Sequence, residues 1–168
     1  NWEKLGGRWT LRDGSFHGSE DASVGHPATA SYGMRFHNLI ISCQVRLDDV
    51  PLAGRKYRVF AIRLTDATSY LCTLSLWAAN GREPGGFAIE KSKHRSESGT
   101  DPAVPLGREL LPVEPGAWQD VVFEILGEAI AGSVNGRHLS GRHPGIAGEK
   151  HSIMLLFQNE GSVRKLRI

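Results

Sequence analysis

Between positions 39 and 47 the chain reads LIISCQVRL. Leu39, Ile41, Cys43, Val45 and Leu47 fall on one side, with Ser42, Gln44 and Arg46, joined by Ile40, on the other. A side-chain period of two belongs to a strand with one buried face. The same alternation runs from Trp118, with Val121, Phe123 and Ile125 set against Asp120, Val122 and Glu124, and it resumes over 129–134. Asn135-Gly136 then separates that run from the next. Both residues tolerate the positive φ of a tight hairpin turn, so 116–140 reads as a three-stranded antiparallel meander. Segments 57–64 and 70–77 continue the plan. Phe60, Ile62 and Leu64 oppose Val59, Ala61 and Arg63; Tyr70, Cys72, Leu74 and Leu76 oppose Leu71, Thr73, Ser75 and Trp77. Asp13-Gly14 marks a second hairpin, between Trp9 and Leu11 on one arm and Phe16 on the other. Shorter apolar runs at 28–32, 87–91, 153–157 and 163–168 add strands, and no segment keeps a 3.6-residue period over a helix's length. About eleven short strands with turn chemistry between them predict an all-β sandwich or barrel. The segments 18–27, 92–116 and 141–151 are expected to be loops. The second, with Pro102, Pro105, Pro112 and Pro115, is long enough to suggest a functional role, with 109–113 as a brief strand inside it.

Composition narrows the classes. The 168 residues suit one domain, and 20 glycines with 8 prolines favour many turns over helices. Twenty basic residues nearly balance eighteen acidic ones, for a net charge of +2. The densest basic cluster, Lys91, Lys93, His94 and Arg95, is followed by acidic residues, which argues against a nucleic-acid partner. No apolar run approaches the length of a membrane span. The chain starts at Asn1 rather than methionine, as expected of a trimmed or mature form with room for adjoining domains and a signal peptide outside it. Cys43 and Cys72 sit in apolar alternating runs, as buried thiols or as a disulfide between strands. No nucleophile elbow and no phosphate-cradling glycine loop is present.

Three places together carry a resemblance: Trp9 with Asp13-Gly14; Pro115-Gly116-Ala117-Trp118-Gln119 with Gly127 and Val134-Asn135-Gly136; and Leu156-Phe157-Gln158-Asn159-Glu160-Gly161 followed by Val163-Arg164-Lys165-Leu166-Arg167-Ile168. In this order they resemble the bacterial 3-keto-disaccharide hydrolase family. The resemblance implies a concanavalin A-like jelly-roll sandwich of two antiparallel sheets, related to laminin G-like domains, with a saccharide on the concave sheet or its rim loops and an exported (periplasmic or extracellular) location. Members carry a Ser-Gly pair leading into a strand that ends in arginine. Here that place reads Arg58-Val59-Phe60-Ala61-Ile62-Arg63, and only the arginine matches.

With the apolar rows in the core, the opposite rows present Gln44, Arg46, Arg63, Thr73, Ser75, Trp77 and Glu90, and with Gln158 these are the expected saccharide contacts. A flat indole covers the C–H face of a sugar, while amide, guanidinium and carboxylate groups satisfy its hydroxyls. The plain alternative is the solvated outer face of an antiparallel sheet. Ordinary glycoside hydrolysis needs two carboxylates about 5–9 Å apart, and no strand sets acidic residues at alternate positions for it. A 3-keto sugar needs instead one general base and one electrophile at the ketone, because the ketone acidifies the C2 hydrogen. His37, His94 and Glu160, near strand ends, are the candidate bases. Asp48, Asp49 and Asp66 are weak candidates for a calcium site of the laminin G-like kind. Two rival functions share the fold. A non-catalytic lectin-like module needs Trp77 and the polar row but no base, and a laminin G-like protein-interaction domain would use the loops alone.

Overall fold

The computed structural model describes residues 1–168 apart from 22, 24, 53, 97 and 98, with Ser96 described by its backbone alone. Parts of the expected loop 18–27 and turn 51–54 thus lie outside the described residues. Among the described residues sixteen strands form: β1 (Trp2–Gly6), β2 (Arg8–Arg12), β3 (Ser15–Ser19), β4 (Ala28–Phe36), β5 (Leu39–Leu47), β6 (Val59–Thr65), β7 (Tyr70–Trp77), β8 (Gly86–Lys91), β9 (His94–Ser96), β10 (Gly99–Asp101), β11 (Val104–Leu110), β12 (Trp118–Leu126), β13 (Ala129–Val134), β14 (Arg137–Arg142), β15 (Lys150–Gln158) and β16 (Glu160–Arg167). They build two seven-stranded antiparallel sheets, β1-β4-β15-β6-β7-β8-β11 and β14-β13-β12-β5-β16-β3-β2, with β9-β10 as a separate hairpin.

The alternating rows decide how the sheets stack. Ile41, Cys43, Val45 and Leu47 of β5 and Val121, Phe123 and Ile125 of β12 face Phe60, Ile62 and Leu64 of β6, Cys72, Leu74 and Leu76 of β7, and Leu155 and Phe157 of β15. Each large apolar side chain so buried contributes about 1.5–3 kcal/mol. The two short turns have the predicted chemistry. Asp13 and Gly14 take φ of 48° and 69°, and Asn135 and Gly136 take 50° and 79°, so the meander β12-β13-β14 and the hairpin β2-β3 both form.

Two expectations are corrected. The register between β6 and β7 shifts after Leu64–Cys72, so that Tyr70 leaves the inward row and its ring lies 4.9 Å from the Arg63 guanidinium on the outer face. The proline-rich segment 92–116 is not one long loop: it holds β9, β10 and β11, and β11 spans Val104–Leu110 rather than 109–113. Pro105 fits there because β11 is an edge strand whose register breaks between Pro105 and Gly107, where the missing N–H costs no ladder bond. Cys43 and Cys72 are free and lie on different sheets. Burial pushes both thiols up to about 12.

Two lysines are fully buried. Lys150 Nζ donates to the carbonyls of Ile146 (2.5 Å) and His37 (3.1 Å), and Lys91 Nζ donates to the Pro102 carbonyl (2.9 Å) and pairs with Asp101. Lys150 thereby ties the β4–β5 turn to a short 3-10 turn (Pro144–Ile146), and burial lowers its pKa.

Gly161 is closely packed where β16 leaves the Asn159 turn. A Cβ on Gly161 would stand 2.4 Å from the fully buried Phe157 ring and 2.7 Å from the Arg46 carbonyl oxygen. Gly161→Ala should therefore lower the unfolding free energy by about 1–3 kcal/mol through overpacking. Urea denaturation would show a lower midpoint at unchanged slope, and an unshifted midpoint would mean that the ring yields without cost.

Candidate functional site

On the outer face of the β5-containing sheet, one cross-strand row runs His17–Ser162–Arg46–Trp118. These residues sit directly opposite one another on β3, β16, β5 and β12. Alternation places them outward: Gly18, next to His17, faces Trp9 and Phe157 of the core, and Val45, next to Arg46, is fully buried. The neighbouring row is a relay in which Arg164 Nε donates to Gln44 Oε1 and Gln44 Nε2 donates to Asp120 Oδ1, both at 2.9 Å. Trp118 lies between the two rows, with the guanidinium carbons of Arg164 and Arg46 at 4.0 and 5.1 Å from its ring centre. Such cation–π contacts fix planar cations while leaving their remaining N–H groups free to donate.

Two carboxylates close the end of the row. Asp48 follows β5 and Glu160 opens β16, and the backbone N–H of Asp48 donates to the Glu160 carbonyl at 3.0 Å. His17 Nε2 stands 3.2 Å from Asp48 Oδ2 and 2.9 Å from Glu160 Oε1. Arg46 Nε donates to the other Asp48 oxygen at 2.7 Å, and Arg46 Nη2 reaches Ser162 Oγ at 3.5 Å. Together with Arg12 and Trp118 these groups surround a polar cavity of about 330 Å³. Glu160 also lines a second cavity of about 440 Å³, beside Glu20, Arg55 and Asn159. There Glu20 accepts from the Asn159 N–H at 3.0 Å and pairs with Arg55. Burial works against its ionisation, but the Arg55 guanidinium and the Asn159 N–H outweigh that and hold its pKa down. Asn159, in left-handed backbone (φ 79°), turns the chain from one sheet into the other and sets the position of Glu160.

The expected residues do not converge as one site. Gln44, Arg46 and Glu160 belong to this cleft. Arg63, Trp77, Glu90 and Gln158 lie on the other sheet, on its own outer face, because the two polar rows of a sandwich point in opposite directions. There Arg63, Thr73 and Glu90 are cross-strand neighbours; burial raises the pKa of Glu90 and Arg63 partly offsets the rise. Trp77 is largely buried, with its Nε1 donating to the Pro84 carbonyl (3.3 Å) and Arg108 5.0 Å from its ring, so its face is not open to a sugar. His37 is exposed in the β4–β5 turn and contributes its carbonyl to Lys150. His94 is bound to Asp66 at 2.6 Å. Neither histidine meets Arg46 or Arg63. The three calcium candidates are likewise separated: Asp49 pairs with Arg58, Asp66 with His94, and Asp48 alone joins the cleft. Among the described residues, the group of three potential metal ligands is His17, Asp48 and Glu160.

His17, Trp118, Ser162 and Arg164 were missed as site residues. The signal was present, since Ser162 and Arg164 fall at period two from Glu160, and Trp118 opens the strand that pairs with Arg46.

No family model matches the chain, and no curated protein does. Solved structures do. The carbohydrate-binding module CBM66 from Bacillus subtilis superposes with a TM-score of 0.69 at 11% identity, over 98% of this chain and 92% of that one. An alginate lyase from Pseudomonas aeruginosa gives 0.66 at 13% identity, over 95% and 84%. A CBM2 module from an evolved Dit protein of Lactobacillus casei phage J-1 gives 0.67 at 12%, over 96% and 80%. The fold is a jelly-roll β-sandwich. The likeness bears out the expected concanavalin A-like architecture and does not single out the 3-keto-disaccharide hydrolase family.

At the far end of the other sheet, burial disfavours an ionised Asp66, but the N–H groups of Thr68 and Ser69 (both 2.7 Å) and His94 prevail and hold its pKa down to about 2. A carboxylate so depressed stabilises the fold above its unfolded value of 3.8, and that contribution is lost as pH falls through about 2. Asp66→Asn should flatten acid unfolding between those two values relative to the wild type. Equal acid sensitivity in both proteins would show that Asp66 carries none of it.

Proposed function

We propose that this domain binds a saccharide in the cleft formed by His17, Arg46, Asp48, Trp118, Glu160 and Arg164. The observation that carries the reading is the gathering of two guanidinium groups over one indole, beside two carboxylates, around a cavity of about 330 Å³. Vicinal hydroxyls can accept from guanidinium N–H groups and donate to carboxylate oxygens in one plane, and the indole holds those guanidinium groups in place. The likeness to proteins described as a carbohydrate-binding module and alginate lyases supports this reading through the fold. A sugar ligand also suits the exported location that the family resemblance implies.

A catalytic version is favoured by one feature: His17 and Arg46 lie in the same cleft, one strand apart, as base and electrophile. On a 3-keto-glycoside, the imidazole would take the C2 proton and the guanidinium would steady the developing enolate oxygen. The C1–O bond would break with its electron pair as the departing oxygen takes the proton back from the imidazolium, leaving a C1–C2 double bond conjugated to the ketone. In this reading His17 would be the base in place of His37, His94 or Glu160.

Calorimetry against a panel of neutral and acidic oligosaccharides tests the binding. Arg46→Ala and Trp118→Ala should each weaken it at least about tenfold, or ~1.4 kcal/mol, and Trp77→Ala, on the other sheet, should leave it unchanged. Loss in Trp77→Ala alone would move the ligand to the opposite face. Release of aglycone from 3-keto-glucosides, abolished in His17→Gln, would establish the enzyme; binding without release would leave a lectin-like module.

A further inference from the structure

His17, Asp48 and Glu160 reach one point from three separate elements: the middle of β3, the end of β5 and the start of β16. Their donor atoms lie within 4.8 Å of one another, with His17 Nε2 at 2.9 and 3.2 Å from the two carboxylate oxygens. Around a divalent ion with bonds of about 2.0–2.2 Å, adjacent donors stand about 2.9–3.5 Å apart, the range of the two His17 distances. An imidazole nitrogen offers a single in-plane direction, as one lone pair or one N–H, so as a hydrogen-bond donor it serves one acceptor well. Here two carboxylate oxygens approach that one nitrogen, and Asp48 Oδ2 is the one that meets it in hydrogen-bonding geometry. Asp48 has the outer support of a metal ligand: Arg46 Nε fixes Oδ1 at 2.7 Å while Oδ2 is turned toward His17. His17 itself is buried, and the backbone bond from Asp48 to Glu160 holds the two acidic ligands in register.

We propose that His17 Nε2, Asp48 Oδ2 and Glu160 Oε1 bind one divalent cation of the imidazole-accepting class, Zn²⁺ or Mn²⁺. One imidazole and two carboxylates suit such ions, whereas calcium takes six to eight oxygen ligands. Three protein ligands leave positions open toward the cavity beside Trp118, where a vicinal diol completes the shell; this last part rests on the saccharide reading above.

The experiment is calorimetric titration of the chelator-treated full chain with ZnCl₂ and, separately, MnCl₂, followed by ¹⁵N spectra of the histidine side chains. One ion per chain is expected, with His17 Nε2 shifted on binding. His17→Gln and Asp48→Asn should each weaken uptake at least about 100-fold. Glu160→Gln, at the less buried ligand, serves where His17→Gln fails to fold. No stoichiometric uptake of either ion, or uptake unaltered in these variants, overturns the site. Saccharide affinity is then measured with chelator and with ion. A fall in chelator supports coordination, and an unchanged affinity overturns that part while leaving saccharide binding intact. Ion uptake with no saccharide bound overturns the functional reading alone.

Discussion

Two antiparallel sheets can enclose one dry interior only if each paired strand gives alternate side chains to it, and every other feature of this protein follows from that demand. Ile41, Cys43, Val45 and Leu47 must turn inward together, so Ser42, Gln44 and Arg46 must turn outward together. Cross-strand register then aligns those outward residues with the outward residues of β3, β12 and β16. The row His17–Ser162–Arg46–Trp118 is thus the necessary reverse side of the core, and the chemistry of the cleft is laid out by packing inside the sandwich.

The end of that row is held by the crossing between sheets. β15 and β16 belong to different sheets and are joined only by Asn159, whose left-handed backbone lets Phe157 enter the core while Glu160 faces out. Glu20 and Arg55 brace this corner from one side, and the Asp48 loop braces it from the other. Glu160 consequently borders two cavities, and its position is tied to the close approach of Gly161 to the Phe157 ring.

The sequence made the strands of strong alternation legible, and with them the two hairpin turns and the sandwich. It hid two of the edges: β1 exposes most of its side chains, and β11 carries a proline and a bulge, so neither shows a clean period of two. For the site, period two told which residues leave the core but not which sheet they leave from. Gln44 and Arg46 therefore came grouped with Arg63, Trp77 and Glu90, although the interior of the sandwich lies between them. The same ambiguity concealed His17: its row partners are far along the chain, and only the pairing of β3 with β16 reveals them.

The two cysteines, one on each sheet, have a practical consequence. Only a thiolate attacks an alkylating reagent, and thiols pushed up to about 12 supply almost none at neutral pH. Each sulfur is also sealed behind a different layer. A molecule found tagged at Cys43 or Cys72 has therefore opened its layers at some moment, which gives the chain two built-in clocks for how often the sandwich comes apart.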